Sequence, residues 1–148
     1  MGNLYAYFSA PGDDTALTAH GLDGGPEAAG FPTLLVKGVD PYVQLGAAES
    51  LLTEVPYDDI VERPRFNDLL SSPEADSRWL LTLTDELRDA LATAPPERLR
   101  QTAPHWARIE EFGGEADPED LAVFLTNLAA LATGARKAGD HLYCLVTL

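Results

Sequence analysis

His141 and Cys144 are the two residues whose types most directly suggest chemistry, because a thiolate close to a base can act as a nucleophile. Their spacing argues against a shared site. On a strand, residues three positions apart face opposite sides of the sheet, so the two side chains cannot meet. Cys144 also stands in an apolar run, where a free cysteine is typically a small core residue. We therefore predict a structural Cys144 and no catalytic residue.

The histidines and the single cysteine do not form a metal-binding motif. His20, His105 and His141 are widely separated, and none belongs to a His-x-x-x-His or Glu-x-x-His pattern. One cysteine allows neither an intrachain disulfide nor a cysteine-based zinc or iron–sulfur site. We predict no metal and no cofactor.

Two short acidic runs supply candidate binding residues. Carboxylates in such runs can hold hard cations, form a solvated face or contact a basic partner, and neither run has the spacing of an EF-hand. We interpret them as candidate partner-binding residues. The six carboxylates are Asp58, Asp59, Glu62, Glu110, Glu111 and Glu115.

The chain is strongly acidic. Its 148 residues include 24 Asp and Glu against 10 Lys and Arg, a formal net charge of −14. This charge repels phosphate backbones and anionic lipid, so we expect neither nucleic acid nor a membrane as a partner. No signal-peptide pattern and no membrane-length apolar run is present, which predicts a cytoplasmic protein.

The first hypothesis is a non-catalytic module that binds a basic protein, as immunity and antitoxin proteins do.

The alternative hypothesis is an enzyme or small-ligand binder with a pocket near the ends of the first and last strands. Aromatic walls with a few polar groups are typical of such pockets. A buried Glu49 would also have a raised pKa, although it could equally reach water or pair with an arginine. Trp106 could equally be a core anchor. The candidate pocket residues are Tyr5, Tyr7, Glu49, His105 and Trp106, with Glu110 as a further carboxylate. A third hypothesis is oligomerisation through the apolar last helix.

Alternation and apolar runs predict the elements that must position these residues. Strands are expected at 3–9, 33–37, 78–83 and 141–148, and helices at 15–20, 40–53, 84–94, from 97, and 117–138. Expected N-caps are Asp13 or Asp14, Asp40, Thr84 and Asp117. Residues 21–26 are expected to form a loop, residues 57–70 have no clear period, and Pro104 is expected to kink or divide its helix.

The last strand is apolar on both faces, which predicts a central position in a sheet covered on each side. These elements predict a single compact α+β domain over residues 1–148. It has a small mixed sheet that includes the N- and C-terminal strands, packed against several helices. A long amphipathic helix precedes the last strand.

Three stretches resemble the YfbM-like family of uncharacterised bacterial proteins. They are the opening Met1–Phe8, the block Val39–Thr53, and the ending made of the long helix, Gly139-Asp140-His141 and an apolar strand. The resemblance implies an α+β fold. Leu45 stands where the family pattern has an aromatic residue and Glu49 where it has histidine, so no catalytic residue is carried over.

Overall fold

A computed structural model of the chain describes residues 2–74 and 77–148. The strands are β1 (Leu4–Ala10), β2 (Thr33–Lys37), β3 (Arg78–Thr82) and β4 (His141–Thr147). The helices are α1 (Asp13–His20), α2 (Gly25–Ala28), α3 (Val43–Thr53), α4 (Tyr57–Ile60), α5 (Asp85–Thr93), α6 (Pro96–Ala107) and α7 (Pro118–Ala138), with a 3-10 turn at Glu110–Phe112. The predicted α+β class is confirmed.

The four strands form one sheet in the order β2-β1-β4-β3. The last strand lies between β1 and β3, as its apolar faces predicted. Within the described residues all three pairings are antiparallel, so the expectation of a mixed sheet was wrong. The direction of a strand depends on the path of the chain between the strands, and this path cannot be inferred from the residues of the strand itself.

Two separate cores cover the two faces of the sheet. Leu142, Cys144 and Val146 of β4 face α3, α5, α6 and α7, whereas Tyr143 and Leu145 face α1. Cys144 is fully buried, and burial raises the pKa of its thiol well above the ordinary value. The alternation therefore confirms that His141 and Cys144 lie on opposite faces.

The helix boundaries follow local capping chemistry. The Asp40 carboxylate accepts hydrogen bonds from the backbone N–H groups of Tyr42 and Val43, and Thr84 Oγ1 accepts one from the Leu87 N–H. Asp117 caps α7 in the same way through the Glu119 N–H. The predicted caps Thr84 and Asp117 are confirmed, whereas Asp40 is not the N-cap that was predicted, because α3 begins only at Val43 with Tyr42 at its N-cap position.

Other local expectations were wrong. Gly12, which has no side chain to donate or accept a capping bond, occupies the N-cap of α1. Asp13 and Asp14 lie in the first turn, where their negative charges interact favourably with the helix dipole. The expected loop at 21–26 runs into α2, with Pro26 in its first turn. Of the two outcomes expected at Pro104, division of the helix is wrong, since α6 runs unbroken from Pro96 to Ala107.

α7 is the longest helix and packs along α5, α6 and the sheet. Its buried face is made of Leu, Phe and Ala side chains at helical spacing, as predicted. No helix in the described ranges combines the length and hydropathy that a bilayer crossing requires.

Gly46 and Gly134 give a matched test of helix packing. A Cβ on Gly46 of α3 would lie 2.7 Å from Tyr57 Cε1, whereas a Cβ on Gly134 of α7 would meet nothing within 4 Å. We expect Gly46→Ala to destabilise the fold by about 1–3 kcal/mol through overpacking. Gly134→Ala should stabilise it by up to about 1 kcal/mol. Urea unfolding of both variants checks this, and a shift of the same sign in both would contradict the packing argument.

Candidate functional site

An open groove of about 380 Å³ lies between α3, α4, α6 and the 3-10 turn, and we call it the acidic groove. Most of its walls are apolar, and they include the partly exposed Leu51. The lining residues are Val43, Ala47, Ser50, Leu51, Tyr57, His105, Ile109 and Glu111.

Gln44 fixes one wall of the acidic groove to the other. Its backbone carbonyl accepts a 2.8 Å hydrogen bond from Trp106 Nε1, and its Nε2 donates to the Glu111 carbonyl at 3.2 Å. Its Oε1 accepts from the Asp40 N–H at 2.7 Å. Trp106 is fully buried and packs edge-on against Phe112, with ring centroids 5.4 Å apart. These contacts hold α3, α6 and the 3-10 turn in a defined arrangement.

Tyr57 opens α4 and forms part of the groove lining. Its hydroxyl donates to the Tyr42 carbonyl at 3.2 Å, and its ring meets Phe66 edge to face at 6.5 Å. Burial raises the pKa of Tyr57, and its neighbours Tyr42, Asp40, Glu111 and Asp58 raise it further by disfavouring the phenolate. Tyr57 is therefore held as a neutral phenol that can donate a hydrogen bond.

Each of the two predicted acidic runs has a member in the groove lining or directly next to a lining residue. Asp58 and Asp59 follow Tyr57 in α4, whereas Glu110 and Glu111 lie in the 3-10 turn. Glu62 follows α4, and Glu115 lies beyond the turn, where it lines a different surface depression. All six predicted carboxylates are exposed, and none forms an ion pair within the described parts of the chain.

The five predicted pocket residues do not line one common cavity. Tyr7 and Trp106 are fully buried in the core, and Tyr5 packs at its edge. His105 is exposed in the acidic groove, whereas Glu49 is buried against Arg63 and Thr84. A separate groove of about 340 Å³ does lie near the start of β1 and the end of β4. It is lined by sheet residues such as Leu4, Leu35, Leu145 and Thr147, and by none of the five.

Glu49 is the most deeply buried acidic side chain in the described residues, at 2% exposure. Its Oε2 accepts a 2.7 Å hydrogen bond from Arg63 Nη1 and a 2.8 Å bond from Thr84 Oγ1. Burial raises the pKa of Glu49, and the bonds from Thr84 and Arg63 counter this only in part. The carboxylate thus links α3, the segment after α4 and the start of α5.

A second polar cluster, the sheet-end network, lies where β1 ends and β4 begins. His141 Nδ1 lies 2.7 Å from Asp85 Oδ1, and Arg88 Nη1 approaches the same oxygen at 3.5 Å. The Tyr143 hydroxyl donates to Asp13 Oδ1 at 2.7 Å, and burial and the Asp13 charge raise the Tyr143 pKa. The network consists of Asp13, Arg65, Asp85, Arg88, His141 and Tyr143.

The sequence patterns did not predict the loop at residues 63–67, which we call the arginine loop. Its Arg63 pairs with Glu49, and its Arg65 belongs to the sheet-end network. Arg65 and Asn67 have φ values of 69° and 51°, the left-handed region that non-glycine residues rarely adopt. Thr82 holds this loop through a 2.6 Å bond to the Arg65 carbonyl. The sequence does contain one indication of this loop, the Arg-Pro-Arg stretch at 63–65. It places two basic residues of an acidic chain in a segment that has neither helical nor strand periodicity.

Comparison with protein-family models, curated proteins and solved structures finds no match for this chain. The described residues contain no group of three or more His, Cys, Asp or Glu side chains placed to hold a metal ion. The chemistry of the acidic groove therefore carries the functional argument.

Glu49 substitutions test the buried ion pair. Glu49→Ala leaves the largely buried Arg63 without its counter-charge, and we expect a loss of about 3–5 kcal/mol in unfolding free energy. Glu49→Gln keeps an acceptor for Thr84 and Arg63 and should cost clearly less. Urea unfolding at neutral pH measures both. Both variants remove the charge, so a Glu49→Gln protein as stable as the unmodified one would show that the charge of Glu49 has no role.

Asp13 gives a pH prediction of definite sign. Burial alone would raise its pKa, but hydrogen bonds from Tyr143 and Arg65 outweigh this and lower it. A carboxylate with a lowered folded-state pKa stabilises the fold fully above its unfolded pKa of about 3.9, and this contribution is lost as pH falls through the folded pKa. We expect Asp13→Asn to reduce the acid-induced loss of stability.

Its control is Asp14→Asn, on the neighbouring exposed residue, which forms no ion pair within the described ranges. Urea unfolding at about pH 6 and about pH 3 compares the three proteins. The pKa of Glu49 is raised in the folded state, so Glu49 changes the pH dependence of stability in the opposite direction. Because all three proteins contain Glu49, its effect cancels in the comparison. A pH dependence unchanged by Asp13→Asn would contradict the Asp13 assignment.

Proposed function

We propose that this protein is a non-catalytic binding module whose acidic groove receives a basic segment of a partner protein. One observation carries the proposal. Glu111 lines the largely apolar groove, Asp58 directly follows its lining residue Tyr57, and the carboxylates of the two acidic runs have no ion-pair partner within the described residues.

The distribution of arginines supports a basic partner. Arg63, Arg65 and Arg88 are all committed to carboxylates away from the groove, at Glu49, Asp13 and the Asp85–Asp89 region. These three arginines therefore do not compensate the carboxylates of the groove rim, and the Arg98 guanidinium, beside the groove, donates to the Leu51 carbonyl and forms no ion pair with them. Lysine or arginine side chains of a partner would supply this compensation, and complementary charge also speeds the encounter of two proteins.

The shape of the groove supports a protein segment as its occupant. An apolar centre with a polar rim is the usual anatomy of a protein interface. Leu51 and Tyr42, at 36% and 51% exposure, extend the apolar surface at α3 and its N-terminal end. An amphipathic segment could place apolar side chains on α3 and basic side chains on the rim.

The biological setting that we propose is the cytoplasm, where a buried unpaired cysteine such as Cys144 stays reduced. Neutralisation of a basic toxin by an acidic immunity or antitoxin protein is one role that this chemistry would serve. We also propose a distant relationship to the YfbM-like family. It rests on the resemblance of Met1–Phe8, of Val39–Thr53 and of the ending made of α7 and β4.

Charge reversal at the rim tests the proposal directly. The probe is a fluorescent amphipathic peptide with Lys and Arg on one face and Leu on the other. We expect it to bind at low salt and to be released at high salt. The double variant Asp58→Lys, Glu111→Lys should weaken binding on the order of tenfold, since each exposed charge contributes up to about 1 kcal/mol.

The control is Asp68→Lys, Glu74→Lys, which makes the same change in net charge at exposed positions outside the groove lining. It should leave affinity close to that of the unmodified protein. Fluorescence anisotropy gives the dissociation constants. Equal weakening by both double variants, or no binding of the peptide, would refute the groove as a site for a basic segment.

A further inference from the structure

The acidic groove has a lining whose polar side chains are few and chemically distinct. They comprise the Tyr57 phenol, the His105 imidazole, the Ser50 hydroxyl and one carboxylate, Glu111. The other walls are aliphatic. A cation entering this groove therefore meets an aromatic ring, one planar carboxylate and apolar surface.

These features favour a guanidinium over an ammonium group. A guanidinium is planar and weakly hydrated, so it can lie against an aromatic ring while it donates two parallel hydrogen bonds to one carboxylate. An ammonium is compact and strongly hydrated, and it needs several acceptors to replace its lost water. The groove offers a single carboxylate in its lining, which suits the guanidinium.

The Tyr57 ring and the backbone that carries the Glu111 side chain are held in place before any partner binds. The hydrogen bond from the Tyr57 hydroxyl to the Tyr42 carbonyl and its contact with Phe66 fix the phenol ring. The backbone of Glu111 is held by Gln44 Nε2, while its carboxylate is exposed and has no ion pair within the described residues. Groups fixed in advance lose less entropy on binding.

We propose that the acidic groove is an arginine-anchor site, in which a guanidinium of the partner lies against the Tyr57 ring and pairs with the Glu111 carboxylate. This inference rests on the proposed function and specifies the partner residue. The aliphatic stem of the arginine runs along Ala47 and Val43, while neighbouring basic residues of the partner face Asp58 and Asp59.

Titration of the isotope-labelled protein with N-acetyl-arginine methylamide, followed by NMR, tests the anchor without a partner. The lysine and citrulline counterparts are the matched ligands, because citrulline keeps the shape of arginine without its charge. We expect amide shifts at Ala47, Tyr57 and Glu111. Arginine should bind about two- to fivefold tighter than lysine, from its contact with the ring, and citrulline weakest of the three.

Variants of the two anchoring residues complete the test. Tyr57→Phe keeps the ring and should keep the preference for arginine, whereas Tyr57→Leu should abolish it. Glu111→Gln, at an exposed position, should weaken both cationic ligands. Thermal unfolding of each variant checks that the fold is intact, and the Phe variant separates the contribution of the ring from that of the hydroxyl.

Two results would overturn the anchor. One is equal binding of the arginine and citrulline ligands. The other is an arginine preference that survives both Tyr57→Leu and Glu111→Gln. If the basic amphipathic peptide still binds and still responds to rim charge reversal, the proposed function stands and only the anchor fails. If neither the peptide nor the arginine ligand binds, both proposals fall.

Discussion

The buried carboxylate of Glu49 joins three separate parts of the chain. A charge removed from water needs close partners, and it takes them from two other parts of the chain, Arg63 and Thr84. Thr84 uses the same hydroxyl oxygen to cap α5, so helix initiation and charge compensation are coupled at one atom. The arginine loop must then follow a strained path, and that path also delivers Arg65 to the sheet-end network.

The elements that depend on local chemistry could be predicted from the sequence. The β2 bounds, the Thr84 and Asp117 caps and the buried face of α7 all follow from alternation, capping residues and helical spacing. The burial of Glu49 could not be predicted, since its partner Arg63 comes from a segment without a period. The acidic runs were visible in the sequence, but their convergence on Tyr57 depends on how α3, α4 and α6 pack.

The protein divides its charges between two roles. Near the sheet and around Glu49, arginines and carboxylates satisfy one another at hydrogen-bond distance, which ties together segments far apart in sequence. Around the acidic groove the carboxylates are exposed and form no ion pair within the described residues. The first group stabilises the fold, and the second is available to attract a partner of opposite charge.

The position of β4 has a consequence for synthesis of the chain. β4 pairs with both β1 and β3, so in a nascent chain these strands have no central neighbour until residue 147 has left the ribosome. Until then β1 and β3 expose unpaired edges, and Tyr7 and Leu80 lack the strand that separates their cores. Such edges are sites of association between incomplete chains. The sheet therefore cannot be completed until β4, the last of its four strands in chain order, has been synthesised.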